Sequence, residues 1–457
     1  MQSFPLHRRL HLALNAAMAR RARRVLCRAV TYLSLLAPIL ATASCSGSPT
    51  GLALAPPEPL PPDLLVPTAI AAGLSFVSLS AGGDATCALT QDGTGYCWAG
   101  ISSASGKPPP APSPIAGLRF SSLSLGDWGD LCGVTVAEAA YCWGPWVDSV
   151  SEEPYPTAVT GGLSFAGIAV GTQMCGVTTS GGAYCWSQWN QYGQLGNDSY
   201  ASFAPSAVSG GLGFSSIVTS NFYHTCALTP AGAAYCWGLN EFGQLGVASS
   251  VAQQCGLVGG EPYPDGGPFY ACSLTPVPVG GGLSFASLAT SGYFTCGLAQ
   301  SGQAYCWGSD AYGELGHGLA NDSTCAGSVP CSATPVAVAG GLKFVSLAAG
   351  FQHACGVTAN GAAYCWGYNS FGQLGNGTTD SSDVPVAVGG TQKFTAIAAG
   401  HAHTCALTTT EAAYCWGATA CDVIGCGGVF YDKAVPTLLV KESRSQDLLT
   451  GTLSDPR

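Results

Sequence analysis

Seven times after residue 68 the chain repeats one pattern, and that repeat limits the fold more than any other feature. An apolar pair ends in Phe, Leu or Ile follows three residues on, then come a Gly, a short variable loop, a Cys and, after nine further residues, Cys-Trp. The Phe positions are Phe76, Phe120, Phe165, Phe214, Phe285, Phe344 and Phe394. The cysteines fall in pairs: Cys87 with Cys97, Cys132 with Cys142, Cys175 with Cys185, Cys226 with Cys236, Cys296 with Cys306, Cys355 with Cys365 and Cys405 with Cys415. Pro-led apolar segments follow, as at 156–159, 205–208, 335–338 and 385–388. Four short strands in 43 to 70 residues is the period of a propeller blade, roughly double that of a β-helix or leucine-rich coil. The expected fold is all-β: a seven-bladed β-propeller of four-stranded, disulfide-stapled blades over residues 68–440. Closure of such a ring leaves few free strand edges. Pro-led segments at both ends, 67–70 and 436–440, are each able to complete the terminal blade.

Composition agrees with this reading. Sixty-three Gly, three Met and only 9 % charged residues cannot sustain long amphipathic helices. Seven of the fifteen basic residues lie before residue 29, which leaves eight bases against 25 acids and a net charge of −17 for the rest. Such a surface cannot neutralise phosphates, so nucleic acid and anionic membrane surfaces are excluded as partners.

The Cys spacing suits a hairpin bridge. In Cys226 to Cys236 the loop Pro230-Ala231-Gly232 sits at the midpoint, with Gly where a left-handed conformation is needed. Counting outward places the two Cys opposite each other at a non-hydrogen-bonded position, where Cα atoms lie about 4.5 Å apart, within disulfide range. Gly93, Gly181, Gly302 and Gly361 hold the same place, whereas Glu138 and Glu411 depart from it, so those two turns are expected to differ. Six more Cys form local pairs on inserted loops: Cys255 with Cys272, Cys325 with Cys331 and Cys421 with Cys426. Ten disulfides imply an oxidising, exported setting rather than zinc sites.

An address precedes the repeats. The basic cluster 20–28 leads into an uncharged stretch 29–43 and small residues, the n-region, h-region and end of a signal peptide over 1–45, with Met18 an alternative start. Fifteen residues interrupted by Pro38 are too short to span a bilayer comfortably. Thr42-Ala43-Ser44-Cys45 resembles a bacterial lipoprotein box with Cys45 as the lipidation site, although Thr42 stands where that pattern prefers Leu; cleavage by an ordinary signal peptidase is the alternative. Residues 46–67 carry seven Pro and form an extended spacer, and 441–457 a polar C-terminal tail.

Residues 224–246, HTCALTPAGAAYCWGLNEFGQLG, resemble the repeat of the regulator of chromosome condensation family. Its Asn-x-x-Gly-Gln-Leu-Gly tail recurs at 190–196 and 369–375 and, as Tyr-Gly-Glu-Leu-Gly, at 312–316, but is missing from units one, two and seven. The resemblance covers residues 66 to 440 and implies a seven-bladed propeller. It says less about function, because this scaffold serves several. An exported beta-lactamase inhibitory protein of the same fold is nearer in setting than the nuclear exchange factor.

The loop after the Gly of each unit carries the candidate partner-binding residues Trp128, Phe222, Tyr223, Tyr293, Phe294, Phe351 and His401. Large aromatics on loops that gather at one face read as a binding hot spot. The Trp that follows each second Cys (Trp98, Trp143, Trp186, Trp237, Trp307, Trp366 and Trp416) reads as inter-blade core. His224, His353 and His403 are expected to bond backbone within their own blades, and with His401 they lack the carboxylates of a metal site. No catalytic motif stands out; Asp84, Asp127 and Asp130 are the first suspects were there an enzyme. The expected protein is therefore a monomeric, non-catalytic platform, without cofactor or metal, that binds a protein partner at the bacterial cell envelope and meets membrane only through its lipid anchor. A secreted enzyme inhibitor and a carbohydrate-active hydrolase or lyase are the alternatives.

Overall fold

Seven antiparallel blade sheets follow one another along the chain in a computed structural model, with a further two-stranded ribbon, Leu257–Val258 and Glu261–Pro262, in the insertion of the fourth. The structure describes residues 68–69, 74–83, 85–98, 113–115, 117–144, 156–199, 201–248, 253–255, 257–258, 261–262, 270–319 and 323–417. The leader, Cys45, the spacer 46–67, Asp84, the pair Cys421 and Cys426, the segment 436–440 and the tail 441–457 lie outside them.

Each blade runs from an inner strand outward. The inner strands are Phe76–Gly82, Phe120–Leu125, Phe165–Val170, Ser216–Thr219, Phe285–Ser291, Phe344–Ala349 and Phe394–Ala399. Each is hydrogen-bonded on one edge only, to the second strand of its blade, and packs beside the inner strands of the blades before and after it, the seventh against the first. The ring is closed by the N-terminal strand Thr68–Ala69, which pairs with Tyr414 and Cys415 as the fourth strand of blade seven. Blade four gains a fifth strand, Gln253–Cys255, from its insertion. Outer strands such as Ser202–Ala207 and Ser382–Ala387 begin before their Pro, which an edge strand tolerates.

The cysteine reading holds for all nine pairs within the described residues. In the hairpins Cys87 is bonded to Cys97, Cys132 to Cys142, Cys175 to Cys185, Cys226 to Cys236, Cys296 to Cys306, Cys355 to Cys365 and Cys405 to Cys415. The two members of each pair stand directly opposite in register. Their Cα separations of 4.0 to 4.1 Å are the short spacing of a non-hydrogen-bonded pair. Cys255 with Cys272 and Cys325 with Cys331 staple the two insertions. One expectation is corrected. The turns at Glu138 and Glu411 do not differ: both residues take φ of 63°, in the region glycine occupies elsewhere, and keep the same bond back to the Thr three residues earlier. The flanking strands and the disulfide impose the turn, and the glutamates accept its strain.

The core is divided into seven slabs, one between each pair of neighbouring blades. Each takes the Phe and Trp of one blade and the cystine of the blade before; between blades six and seven these are Phe394, Trp416, Cys355 and Cys365. The Trp residues are therefore inter-blade core, as expected. Four interfaces carry a further device, built from the Gln-Leu-Gly tail. The backbone carbonyls of Gln194, Gln244, Glu314 and Gln373 accept the indole N–H of Trp237, Trp307, Trp366 and Trp416 in the next blade, at 2.9 to 3.1 Å. The last glycine of each tail, as Gly375 at φ 64°, lies flat against that indole, where a Cβ would sit 2.5 Å from the ring nitrogen. The Leu between them is fully buried in all four. These four Trp are 0 to 2 % exposed, against 5 to 9 % for Trp98, Trp143 and Trp186, which follow units without the tail.

Candidate binding face

Because strands alternate in direction, the links from first to second strand and from third to fourth strand emerge at the same end of every blade. The first set surrounds the axis and the second lies outside it. At this end the loops bond to one another around the ring. The His401 N–H donates to the Gly83 carbonyl at 2.9 Å, Phe351 N–H to Gly400 at 3.2 Å and Thr172 N–H to Ser220 at 3.3 Å. Gly83 N–H donates to the Asp127 carboxylate at 2.6 Å.

The aromatic residues of these loops mostly pack against each other. Phe351 stacks on His401, with ring centroids 4.2 Å apart and planes inclined by 13°. Phe222 meets Tyr293 of the next blade at 4.5 Å and reaches past it to Phe351 of the blade beyond, at 5.3 Å. Phe222, Tyr293, Phe351 and His401 thus converge over the axis, and His401 is only 9 % exposed. Tyr223, at φ 62°, instead packs outward on Tyr192 at 4.7 Å. Trp128 stands free, 40 % exposed beside Gly129. Phe294 departs from the expectation: at 1 % exposure it belongs to the core between blades five and six, not to the face.

Sequence reasoning missed an outer belt. Tyr192, Phe242, Tyr312 and Phe371 occupy one position, directly before the Gly of each tail. Their backbone N–H groups are held by the side chains of Gln194, Gln244, Glu314 and Gln373, so each aromatic is fixed in place. Tyr192 packs on Tyr223, Phe242 on Tyr293 at 4.8 Å, and Tyr312 on Tyr368 at 4.9 Å. The shared register was the available signal. Trp189, Tyr312 and Phe203 of this outer region are 50, 39 and 81 % exposed.

The histidine expectation is also corrected. His224 Nε2 meets Thr295 Oγ1 at 3.0 Å, His353 meets Thr404 at 2.8 Å, and His403 meets Thr86 at 2.8 Å, each in the following blade. Thr295 and Thr404 donate their own protons to the Gln244 and Gln373 carbonyls, so their oxygens accept from Nε2–H. Burial pushes His224 and His353 down to about 3 and His403 to about 4, helped in the last two by neighbouring His401. Gln173 takes the His role toward Thr225 at 2.9 Å. Where Phe294 replaces the His, Ala354 replaces the Thr. These are structural staples. Among the described residues no group of three or more His, Cys, Asp or Glu is placed to hold a metal ion. Asp127 and Asp130 belong to one loop, and Asp130 is 3 % exposed. No helix among them is long and apolar enough to cross a membrane.

Fold and face together define a disulfide-stapled propeller of recurring Trp-clasping units. Residues 215–244, 285–314, 344–373 and 394–421, and in a second form 301–357 and 360–407, match the regulator of chromosome condensation (RCC1) repeat, so these stretches carry repeats of that kind. It is similar to the ultraviolet-B receptor UVR8 of Arabidopsis thaliana, 27 % identical over 67 % of this chain and 66 % of the receptor. It also resembles the probable E3 ubiquitin-protein ligase HERC4 of Homo sapiens, 29 % identical over 35 % of this chain but only 13 % of that protein. The chain thus spans less than two thirds of either relative. Among solved structures, Prp20p from Saccharomyces cerevisiae shares the fold, with a TM-score of 0.60 at 20 % identity over 76 % of this chain and 83 % of that one.

Proposed function

We propose that the protein is a rigid, non-catalytic platform that binds a protein partner through the face formed by the inter-strand links. The carrying observation is an asymmetry of exposure. Among the described residues, Trp128, Trp189, Phe203, Tyr312, Leu319 and Val384 stand exposed at or near this end, whereas only Val77, Val136 and Val345 do so at the other. Every exposed large aromatic side chain in that set lies on one face, and aromatic anchors on a rigid support are what hot spots are made of. The inner aromatics brace this surface rather than contact the partner directly. Prp20p, described by its binding to Gsp1p and histones, is a precedent for protein recognition on this fold. The acidic balance here argues against a nucleic-acid partner.

Nine disulfides fit an oxidising, extracellular environment. The leader 1–45, a lipid on Cys45 and the Pro-rich spacer 46–67 would hold the propeller, as a monomer, off the cell envelope. The test is affinity capture from envelope and secreted fractions with oxidised protein, beside two variants. Trp128→Ser with Trp189→Ser and Tyr312→Ser alters the proposed face; Val77→Ser with Val136→Ser and Val345→Ser alters the other. A partner lost with the first and kept with the second supports the reading. Loss with the second alone, or capture indifferent to both, refutes it. Palmitate labelling abolished by Cys45→Ala tests the anchor.

A further inference from the structure

The exposed apolar residues of the proposed face come together where blade five meets blade six. Tyr312, Leu319 and Val384 are all exposed there. Gly318 N–H donates to the Asp383 carbonyl at 2.9 Å, which lays the residue before Leu319 against the residue before Val384. A Cβ on Gly318 would meet Val384 Cγ1 at 2.5 Å, and one on Gly313, next to Tyr312, would come within 2.6 Å of the Asp383 Cα. Tyr312 is braced from the side by Tyr368, with ring centroids 4.9 Å apart. Asp383 thus borders all three apolar side chains and is itself exposed. Exposed Asp380 lies three residues earlier, its backbone carbonyl held by the Asn369 amide at 2.9 Å. Neither carboxylate makes a hydrogen bond or ion pair among the described residues.

Charge is divided unequally between the two ends of the ring. Residues 76–417 hold only four Lys and Arg: Lys107, which lies outside the described residues, Arg119, Lys343 and Lys393. The last three each stand immediately before an inner strand, at the end away from the aromatic loops. Asp92, Glu138 and Glu411, on the turns from second to third strand, share that end and match them in number, and Arg119 pairs with Asp92 at 3.7 Å. At the aromatic end Asp198, Asp380 and Asp383 are exposed, and the described residues there include no Lys or Arg. His317, the base nearest the apolar patch in sequence, is spent on its own loop. Its Nδ1 accepts Leu319 N–H at 2.9 Å and its Nε2 lies 3.4 Å from Asp310. A rigid apolar surface edged by uncompensated carboxylates draws a partner of opposite charge and turns away one of like charge.

We propose that the partner segment docked where blades five and six meet is cationic, an arginine laid along Tyr312, Leu319 and Val384 with its guanidinium on Asp383 and Asp380. This deepens the platform reading and rests on it, since it names the chemistry that the face takes. The apolar side chains supply the contact area and the carboxylates select the charge. Long basic side chains suit such a surface, because their methylene stems cover apolar area while the charged head stays at the wet, acidic edge. A planar guanidinium also lies flat on a tyrosine ring and meets a carboxylate with two parallel N–H groups, neither of which an ammonium matches. A neutral segment would strip water from Asp383 without replacing it, and an acidic one would set a like charge beside it.

The test is fluorescence anisotropy of the oxidised full chain, at physiological ionic strength, with a short labelled peptide alternating arginine and glycine. Beside it run the same peptide with citrulline, which keeps the shape of arginine without its charge, and with glutamate. The arginine peptide should bind at least about tenfold more tightly than the citrulline peptide, and the glutamate peptide should not bind. Asp380→Asn with Asp383→Asn should weaken the arginine peptide by about tenfold or more, and Tyr312→Ser by several-fold. Glu138→Gln with Glu411→Gln makes the same change of net charge at the other end, beyond the screening length, and should alter affinity by less than about twofold. No binding by folded protein, equal affinity for the citrulline peptide, or equal losses from the two charge pairs overturns the proposal. Should the aspartate pair fail to fold, Asp380→Asn alone decides, and unchanged affinity in it is equally fatal. A partner captured through the exposed face yet indifferent to Asp380→Asn with Asp383→Asn overturns this inference and leaves the platform standing. Capture indifferent to that face overturns the platform itself.

Discussion

Glu314 stands where the other three tails carry Gln, and its side chain does the same job, accepting Tyr312 N–H at 2.7 Å. At 3 % exposure it does so with a carboxyl group that burial pushes up to about 8, from an ordinary 4.5, with its hydrogen bonds pulling the other way. Folded protein therefore holds a proton on Glu314 between pH 4.5 and 8 that the unfolded chain releases, and stability must fall as pH rises through that window. Each unit costs about 1.4 kcal/mol, so at pH 7 the penalty is roughly 3 kcal/mol. Glu314→Gln should remove it and add a donor equivalent to the one Gln194 Nε2 gives the Trp189 carbonyl at 3.0 Å. The three buried histidines act in the opposite sense. Their folded values lie near 3 to 4, so below pH 6.5 the unfolded chain gains protons that the fold refuses, and stability falls on acidification. Asp127, raised from 3.8 to about 6, offsets one of them. Denaturant unfolding of oxidised protein across pH 5 to 8 should give wild type a maximum near pH 6 to 6.5 and the variant a plateau above it, the gap widening to several kcal/mol by pH 8. Parallel curves for the two proteins between pH 6 and 8 would refute the reasoning.

Gly375→Ala should destabilise by roughly 2 to 4 kcal/mol, because a methyl group would meet the Trp416 indole, whereas Gly377→Ala, also at positive φ but with open space around it, should cost only about 1 kcal/mol; thermal unfolding separates them. Glu138→Gly and Glu411→Gly should each stabilise by about 0.5 to 1 kcal/mol by releasing a left-handed non-glycine residue, and destabilisation by either would show the side chains have a use beyond the turn. Thr404→Val, which strands the His353 and Gln373 groups it joins, should cost about 1 to 3 kcal/mol, and the loss should shrink in a His353→Leu background. Mass analysis without reductant should find no free thiol among the cysteines from Cys87 to Cys426.

The architecture was readable because one hairpin, marked by Phe, Cys and Cys-Trp, is copied in register, and a copied unit that cannot cover its own Phe must stack on another copy. The closing strand was not, since 67–70 and 436–440 offer equivalent edges and only the pairing of Thr68 with Cys415 distinguishes them. Loop aromatics were legible as a set but not in their contacts. Phe222 reaches Phe351 two blades away because the axis brings them together, a distance no spacing encodes. Phe294 was misplaced although the signal was present. It sits two residues before its cysteine, where His224, His353 and His403 sit, and that position points into an interface in every blade.

Among the described residues the indole clasps join blades three to seven, and the sequence has no Gln-Leu-Gly tail to supply one at the joints between seven and one, one and two, and two and three. The ring is therefore an arc of five clasped blades completed by two without that clasp, and the two-residue closing strand sits on blade seven, at the edge of that bridge. Such an object should not open evenly. Backbone amides of the first two blades should exchange with solvent well before those of blades four to six, and a rearranged chain with new termini cut between blades one and two should fold where one cut between five and six fails. Any partner that spreads the ring would enter there, so the arc sets which part of the face can yield and which can only be docked against.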